Sequence, residues 1–349
     1  MDLLRTPSPS GYEREASAKW RSWGASFCDD VAVDTIGNSY LRLHSPEGPN
    51  VLVAAHIDEL GLMVTHIDER GFLAFDTMGR WDLGVLAGQR VLLVTRDGIR
   101  RGVIGQNDIF RRTEEERTRP ARIDDYWIDI GAASRVEAQR SVRIGDPAVI
   151  DAEPFALGEN LIVARSLDDR LGCYVIGEAV REIARRAAPV SVTAMATVQE
   201  EVGSRGARVA ARGLNVEAAI AVDLYSTSDT PAPMSTARQW GEIGFGEGPI
   251  LGRGPNICHD LFDHVLSTAE RLGIPYQLEA EPGATSTDAN VIQLAGSGVA
   301  TCLISIPNRY SHSPVEIVDR RDVDHTIRLI SSSVASLPEA GFPRPYRRS

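Results

Sequence analysis

The sequence predicts an α/β protein in which one large domain is interrupted by a small all-β domain. Three observations carry this expectation. Short, continuously apolar runs recur at 51–55, 190–198, 218–222 and 299–306, as expected of strands covered on both faces of a sheet. Around them lie segments with apolar residues at helical spacing, among them Leu171, Val175, Ala179 and Ile183. From about Met63 to Asp151 this texture gives way to short alternating runs separated by Gly, Asp and Arg, the pattern of a small β-barrel or sandwich. The large domain is therefore expected to be discontinuous, residues 1–62 plus 152–349, with 63–151 inserted.

Taken in order, the chain opens with a turn-rich segment (Pro7, Pro9, Gly11) that leads into a helix expected from Glu13 to Trp23. A strand pair follows around 30–33 and 39–43, joined across Gly37-Asn38, a hairpin signal. The apolar run 51–55 then ends in His56-Ile-Asp-Glu-Leu-Gly61. In the β-rich region, 72–75, 91–94, 101–105, 126–130 and 147–150 read as strands, and only 133–139 hints at a helix. The charged stretch from Phe110 to Arg119 is expected to be a mobile surface loop whose mixed charges serve solvation.

Past Asp151 the run 161–170 passes from strand into a long helix. Apolar strands end at Gln199-Glu-Glu201, at Asp223, and a few residues before His312. Helices are expected over 261–272, stopped by Gly273, and over 323–337. No repeat of fixed period and no low-complexity segment interrupts this order.

Composition narrows the function class. With 349 residues, 43% of them hydrophobic and 24% charged, the chain supports a sizeable core. A net charge of −11 argues against nucleic-acid binding, which needs clustered Lys and Arg. The apolar runs are far short of a membrane span, and the first residues carry no basic stretch followed by an apolar one, so neither membrane insertion nor a signal peptide is expected. The cysteines Cys28, Cys173, Cys258 and Cys302 are scattered with no paired spacing, which suits reduced thiols in a cytoplasmic protein.

The chemistry concentrates at strand ends. His56, Asp168, Glu201, Asp223 and His312 each follow a buried strand or sit at a strand-to-helix junction, where ligands of open α/β sheets gather. Each alone has an ordinary reading: a structural His, an Asp at a helix start, a turn Asp, a surface-loop His. Five together point to a metal centre. Two His and three carboxylates suit borderline divalent ions such as Zn²⁺, Co²⁺ or Mn²⁺ rather than Ca²⁺. Three carboxylates supply about −3 against about +4 from two divalent ions, so a bridging hydroxide brings the set near neutrality.

Glu200 and Glu201 are neighbours on a backbone expected to be extended, so they point opposite ways and divide their roles. Glu201 faces the metal, and Glu200 is the candidate general base that takes a proton from water and passes it to a leaving amine. Asp58, two residues after His56, is expected to accept the other imidazole N–H and orient the ring. Thr287 and Asp288 either shape a substrate pocket or cap a helix. Cys258-His259 reads as a buried thiol beside a surface imidazole. A glycoside hydrolase using Glu200 and a second carboxylate is the reading from another class; it requires no metal.

Several runs together resemble one known family: Val53-Ala-Ala-His-Ile-Asp-Glu-Leu-Gly61, Ala164-Arg-Ser-Leu-Asp-Asp-Arg-Leu-Gly172, Val198-Gln-Glu-Glu-Val-Gly203, Ala221-Val-Asp223, Thr287-Asp-Ala289 and Arg309-Tyr-Ser-His-Ser-Pro-Val-Glu316. They resemble the tetrahedral (TET) aminopeptidases and the glutamyl, deblocking and leucyl aminopeptidases related to them, once misnamed endoglucanase M. The resemblance extends over essentially the whole chain, including Ser10-Gly-Tyr-Glu13, Trp81 to Arg90 and Asp129 to Ala132.

What the resemblance implies is specific. The large domain would be a mixed-sheet α/β/α metallopeptidase domain and the insert a PDZ-like β-barrel that builds dimers, assembled in turn into a hollow homo-oligomeric dodecamer acting on peptides. His56, Asp168 and Asp223 would hold one ion, and Asp168, Glu201 and His312 the other, with Asp168 bridging and Glu200 as general base. The chain departs from the family's glycine-rich run at Pro282-Gly-Ala-Thr-Ser-Thr-Asp288. A carboxypeptidase or N-deacylase of the same metallohydrolase clan would keep this site, and a catalytically silent, metal-stabilised assembly protein would keep its ligands.

Overall fold

Side-chain alternation decides how the main sheet is covered. In the strand Asn50–His56, Val51, Val53 and Ala55 face one apolar core while Leu52 and Ala54 face another. An extended chain sends successive side chains to opposite faces, so a run with no polar interruption needs cover on both. The structure, a computed structural model, describes residues 2–46, 48–213, 215–231 and 241–340.

The main sheet has eight strands in the order Asp30–Val33, Ser39–Leu43, Ser191–Thr197, Asn50–His56, Ala218–Ser226, Ala300–Asn308, Ile250–Arg253 and Gln277–Ala280. The middle four run parallel, whereas Ser39–Leu43 and Ile250–Arg253 flank them antiparallel. The helices Leu167–Arg186, His259–Leu272 and Arg320–Ala340 pack on the thicker face. The other face is covered by short pieces that include Arg205–Ala210 and Ala289–Ile292. This is the mixed α/β/α arrangement expected from the sequence.

Between the strand at 50–56 and the one at 191–197 the chain builds a closed antiparallel barrel. Its six strands, in order around the barrel, are Gly61–Ile67, Leu73–Met78, Tyr126–Asp129, Gly98–Gln106, Arg90–Thr95 and Pro147–Ile150. It encloses its own core, with Leu62, Leu73, Leu93, Ile104 and Ile128 almost without exposure. A three-stranded antiparallel sheet, Phe155–Leu157, Leu161–Ala164 and Glu316–Asp319, follows the barrel.

Three expectations need correction. The charged stretch after Phe110 is not a plain loop: Glu114–Thr118 is a short helix started by a capping box, with the Thr113 hydroxyl on the Glu116 N–H and the Glu116 carboxylate on the Thr113 N–H. Thr-x-x-Glu is the signature of that cap, and it prevails over the local charge density. Asp223 lies within its strand rather than after it, because the ladder continues from Asp223 opposite Ser305 to Ser226 opposite Asn308. Glu200 and Glu201 sit in a turn, since Gln199 adopts a left-handed conformation (φ 57°) and the Glu200 carbonyl accepts the N–H groups of Gly203 and Ser204.

Among the described residues no helix is long and apolar enough to cross a membrane. The cysteines are all free thiols.

Candidate metal centre

Each of the five strand-end residues is delivered by a different piece of backbone. His56 ends its strand, and Asp223 is the sixth residue of the neighbouring parallel one. Asp168 precedes the long helix proper: its φ and ψ (−76°, 108°) are not helical, nor are those of Asp169. It therefore belongs to the junction and not to a helix start. Glu201 stands in the turn after Ser191–Thr197, and His312 in the loop after Ala300–Asn308, with φ 60°.

These residues form two groups that share one member. One ligand-capable atom each from His56, Asp168 and Asp223 lies within 4.8 Å of the others, as does one each from Asp168, Glu201 and His312. The Nε2 of His56 is 3.1 Å from Asp168 Oδ1, and the Nε2 of His312 is 3.6 Å from Asp168 Oδ2 and 3.8 Å from Glu201 Oε1. Asp168 thus offers one oxygen to each side.

The opposite ring nitrogens are anchored on backbone. His56 Nδ1 is 3.2 Å from the Asp58 carbonyl, and His312 Nδ1 is 2.9 Å from the Arg80 carbonyl. A carbonyl only accepts, so each Nδ1 keeps a proton and each Nε2, facing the carboxylates, is the ring atom that becomes a ligand once a metal displaces its own proton. The Asp58 carboxylate, expected to orient His56, stands farther away at 3.6 Å from Nδ1. It instead accepts the N–H groups of Glu200 (2.9 Å) and Glu201 (3.2 Å) and the hydroxyl of Ser10 (2.6 Å).

The electrostatics fit a cation. Burial, reinforced by the Asp168 charge, holds the carboxyls of Glu201 and Asp223 well above the usual range. Burial would depress the His56 imidazole, yet the bond to Asp168 and the charges of Asp58 and Asp169 outweigh it and keep its pKa well above the ordinary value. Burial lifts Glu200 to about 7, with repulsion from Asp288 and Asp58 added and His56 opposing. Glu201 Oε1 is buried without a hydrogen-bond partner. Such crowding of acids around an unpartnered oxygen is costly in a bare protein, and divalent ions relieve it. The donor set is one that Zn²⁺ or Co²⁺ accepts.

Sequence reasoning missed three acids behind the ligands and weighed a fourth, Asp288, only as a pocket residue or a helix cap. Asp169 accepts the His56 N–H, and Glu316 accepts the N–H groups of both Asp168 (3.1 Å) and His312 (3.0 Å). Glu59 is buried against Arg165 and Arg170. Asp288 occupies a cap position but makes no cap bond; its carboxylate takes the Thr197 hydroxyl at 2.5 Å instead, and burial raises its pKa to about 6. All four lie inside or beside the motifs quoted above, but nothing in the sequence says that their oxygens go to backbone amides and neighbouring side chains.

The two groups open onto a cleft of about 410 Å³, lined also by Glu200, Arg80, Arg208, Thr285, Asn290 and Leu224. The arrangement can hold two cations side by side, with one carboxylate, Glu200, that belongs to neither group.

Comparison with known proteins bears on the chain as a whole. The family model described as M42 glutamyl aminopeptidase matches residues 37–329. A lysyl aminopeptidase of Pyrococcus furiosus is 37% identical over 97% of this chain and 97% of its own. The TET aminopeptidase from the marine sediment archaeon Thaumarchaeota archaeon SCGC AB-539-E09 superposes with a TM-score of 0.91 at 32% identity, covering 97% of this chain and 95% of that one. The Pyrococcus horikoshii TET1 peptidase, which can assemble into a tetrahedron or a large octahedral shell, gives 0.85 at 31% identity, covering 96% and 98%.

Proposed function

Because the chain belongs to the M42 glutamyl aminopeptidase family and is an enzyme of metallopeptidase type, we propose that it removes N-terminal residues from peptides at a two-ion centre. In this reading His56, Asp168 and Asp223 hold one divalent ion, Zn²⁺ or Co²⁺, and Asp168, Glu201 and His312 hold the second. The observation that carries it is the pair of three-residue groups sharing Asp168. When bound, such ions lower the pKa of water and polarise a carbonyl.

The remaining work falls to the chain's own residues. Glu200 takes the proton of the attacking water and delivers it to the departing amine; a carboxyl held near 7 suits both directions of transfer. Ser204 donates its hydroxyl to Glu200 Oε1 at 3.0 Å and fixes the carboxylate's orientation. Asp58 holds the backbone of both glutamates.

The reading is tested by incubating the protein with zinc or cobalt and a panel of aminoacyl-anilides and free peptides. Release of N-terminal residues supports it; no cleavage of any substrate by protein shown to carry two ions refutes it. We further propose a cytoplasmic homo-oligomer in which the inserted domain, residues 63–151, builds dimers and these a dodecamer. It is supported by the likeness to a self-assembling TET1 peptidase, and sedimentation of the full chain checks it.

A further inference from the structure

The motif Ser10-Gly-Tyr-Glu13 has no part in the proposed chemistry, yet Glu13 reaches the turn that carries Glu200 directly and Ser10 reaches it through Asp58. Three consecutive amides of that turn are held by carboxylates. The Gln199 N–H donates to Glu13 Oε1 (3.1 Å), the Glu200 N–H to Asp58 Oδ1 (2.9 Å) and the Glu201 N–H to Asp58 Oδ2 (3.2 Å). Ser10 donates its hydroxyl to the same Asp58 Oδ2 (2.6 Å). Glu13, Ser10 and Asp58 are all buried.

The strap bearing Ser10 is itself fastened. Ser8 Oγ donates to the Ile57 carbonyl, the Glu59 N–H to the Ser8 carbonyl, and the Ser10 N–H to the Glu59 carbonyl. Gly11, at φ 87°, makes the bend and donates its N–H to Glu13 Oε1 at 2.6 Å. Only glycine takes that conformation freely.

Gln199 needs such support. A left-handed conformation is unfavourable for a residue with a side chain, and a left-handed Gln199 (φ 57°) turns the chain between the strand's end and Glu200. A hydrogen bond from its amide to a buried side-chain oxygen restrains it there.

We infer that Ser10 and Glu13 are positioning residues that clamp the turn at 199–201 and thereby set where Glu200 stands relative to the two ligand groups. This rests on the reading of Glu200 as the general base. The clamp acts through an acceptor oxygen at Glu13 and a hydroxyl donor at Ser10, neither of which belongs to a ligand group or lines the cleft.

The test uses the full chain and the variants Glu13→Ala, Glu13→Gln and Ser10→Ala. Hydrogen exchange of the 199–201 amides is followed in metal-free protein, and kcat, KM and bound zinc in reconstituted protein. In Glu13→Ala those amides exchange about tenfold faster, while the strand Ala218–Ser226 keeps its protection. Its kcat falls roughly 10- to 100-fold, the scale of a lost supporting bond, with KM and zinc content unchanged. Glu13→Gln keeps the acceptor oxygen and restores both readouts; Ser10→Ala gives a smaller loss in the same direction.

The inference is overturned if kcat per folded molecule is unaltered in Glu13→Ala, or if Glu13→Gln is as impaired as Glu13→Ala. Faster exchange throughout the molecule without a selective change at 199–201 also overturns it, since that marks a purely structural role. Should Glu13→Ala fail to fold, Ser10→Ala decides the matter by the same readouts. If the parent protein proves to have no peptidase activity, the functional reading fails, while amide exchange still shows whether the clamp exists.

Discussion

Glu59 stands between two guanidinium groups in a place with almost no solvent. Burial disfavours its charge, but Arg165 and Arg170 outweigh that and lower its pKa below the ordinary value of 4.5. A depressed carboxyl binds fewer protons folded than unfolded at acid pH. Its stabilisation is therefore complete above about pH 4.5 and is lost as pH falls through the depressed value. Glu59→Gln leaves two buried cations without a counter-charge and is expected to cost about 3–5 kcal/mol in denaturant unfolding at pH 7, with a shallower acid limb.

At the cleft, Glu200→Gln keeps shape and removes the titrating oxygen. Its kcat is expected to fall by about 10²–10⁴ with bound metal unchanged, as elemental analysis and steady-state kinetics will show. Arg80 and Arg208 line the same cleft, and among the described residues neither is paired with a carboxylate. Their charge is expected to favour an acidic N-terminal side chain over a basic one, to be read from the ratio of kcat/KM for glutamyl- and lysyl-anilides. Arg208 is exposed and its Nε bonds the Gly203 carbonyl, so Arg208→Met is expected to lower kcat/KM for a glutamyl-anilide by only about 2- to 5-fold relative to a leucyl-anilide.

At the scale of elements, the sequence was most legible where a buried strand stops. An apolar run that ends abruptly in a charge announces a strand and a side chain held at its mouth, as at Ala55-His56, although after Val222-Asp223 the strand runs on to Ser226. The helix at 259–272 was equally plain, and Gly273 ends it at φ 61°. What escaped was side chain to backbone bonding. Glu13 looked like the first residue of a helix, but its carboxylate crosses to Gln199. Asp169 and Glu316 drew no reading of their own, yet Asp169 holds the His56 N–H and Glu316 those of Asp168 and His312.

The turn at 199–204 was misread as extended because nothing about a glutamine signals a left-handed residue. At 113–116 the capping signature was present and was passed over for the charges around it. Thr113→Ala removes that cap and is expected to weaken the short helix by about 1 kcal/mol, read as faster amide exchange confined to 114–118.

For the molecule as a whole, the four parallel strands of the main sheet act as a rack that brings His56, Glu201, Asp223 and His312 to one cleft, and the junction after Leu161–Ala164 adds Asp168. Ions bound there stabilise the folded state alone, because the unfolded chain does not gather these groups. A chelator is expected to lower the Tm, and zinc at about a hundred times its Kd to restore about 2.7 kcal/mol, measured by calorimetry. His56→Ala should abolish most of that recovery. The architecture was readable from the change of texture near residue 63 and its return after 151, because strands covered on both faces and strands covered on one leave different patterns. The order of strands in the sheet was not, since pairing between distant segments leaves no local mark.

The interruption between His56 and Asp168 also has a meaning in time. The barrel's pairings are all among residues 61–150, so this part can close while later segments are still being made. The proposed centre cannot, for it waits on His312 and on the sheet strand just ahead of it. A chain that stops short of His312 therefore lacks one member of the second ligand group, and the proposed activity can begin only when synthesis is nearly done.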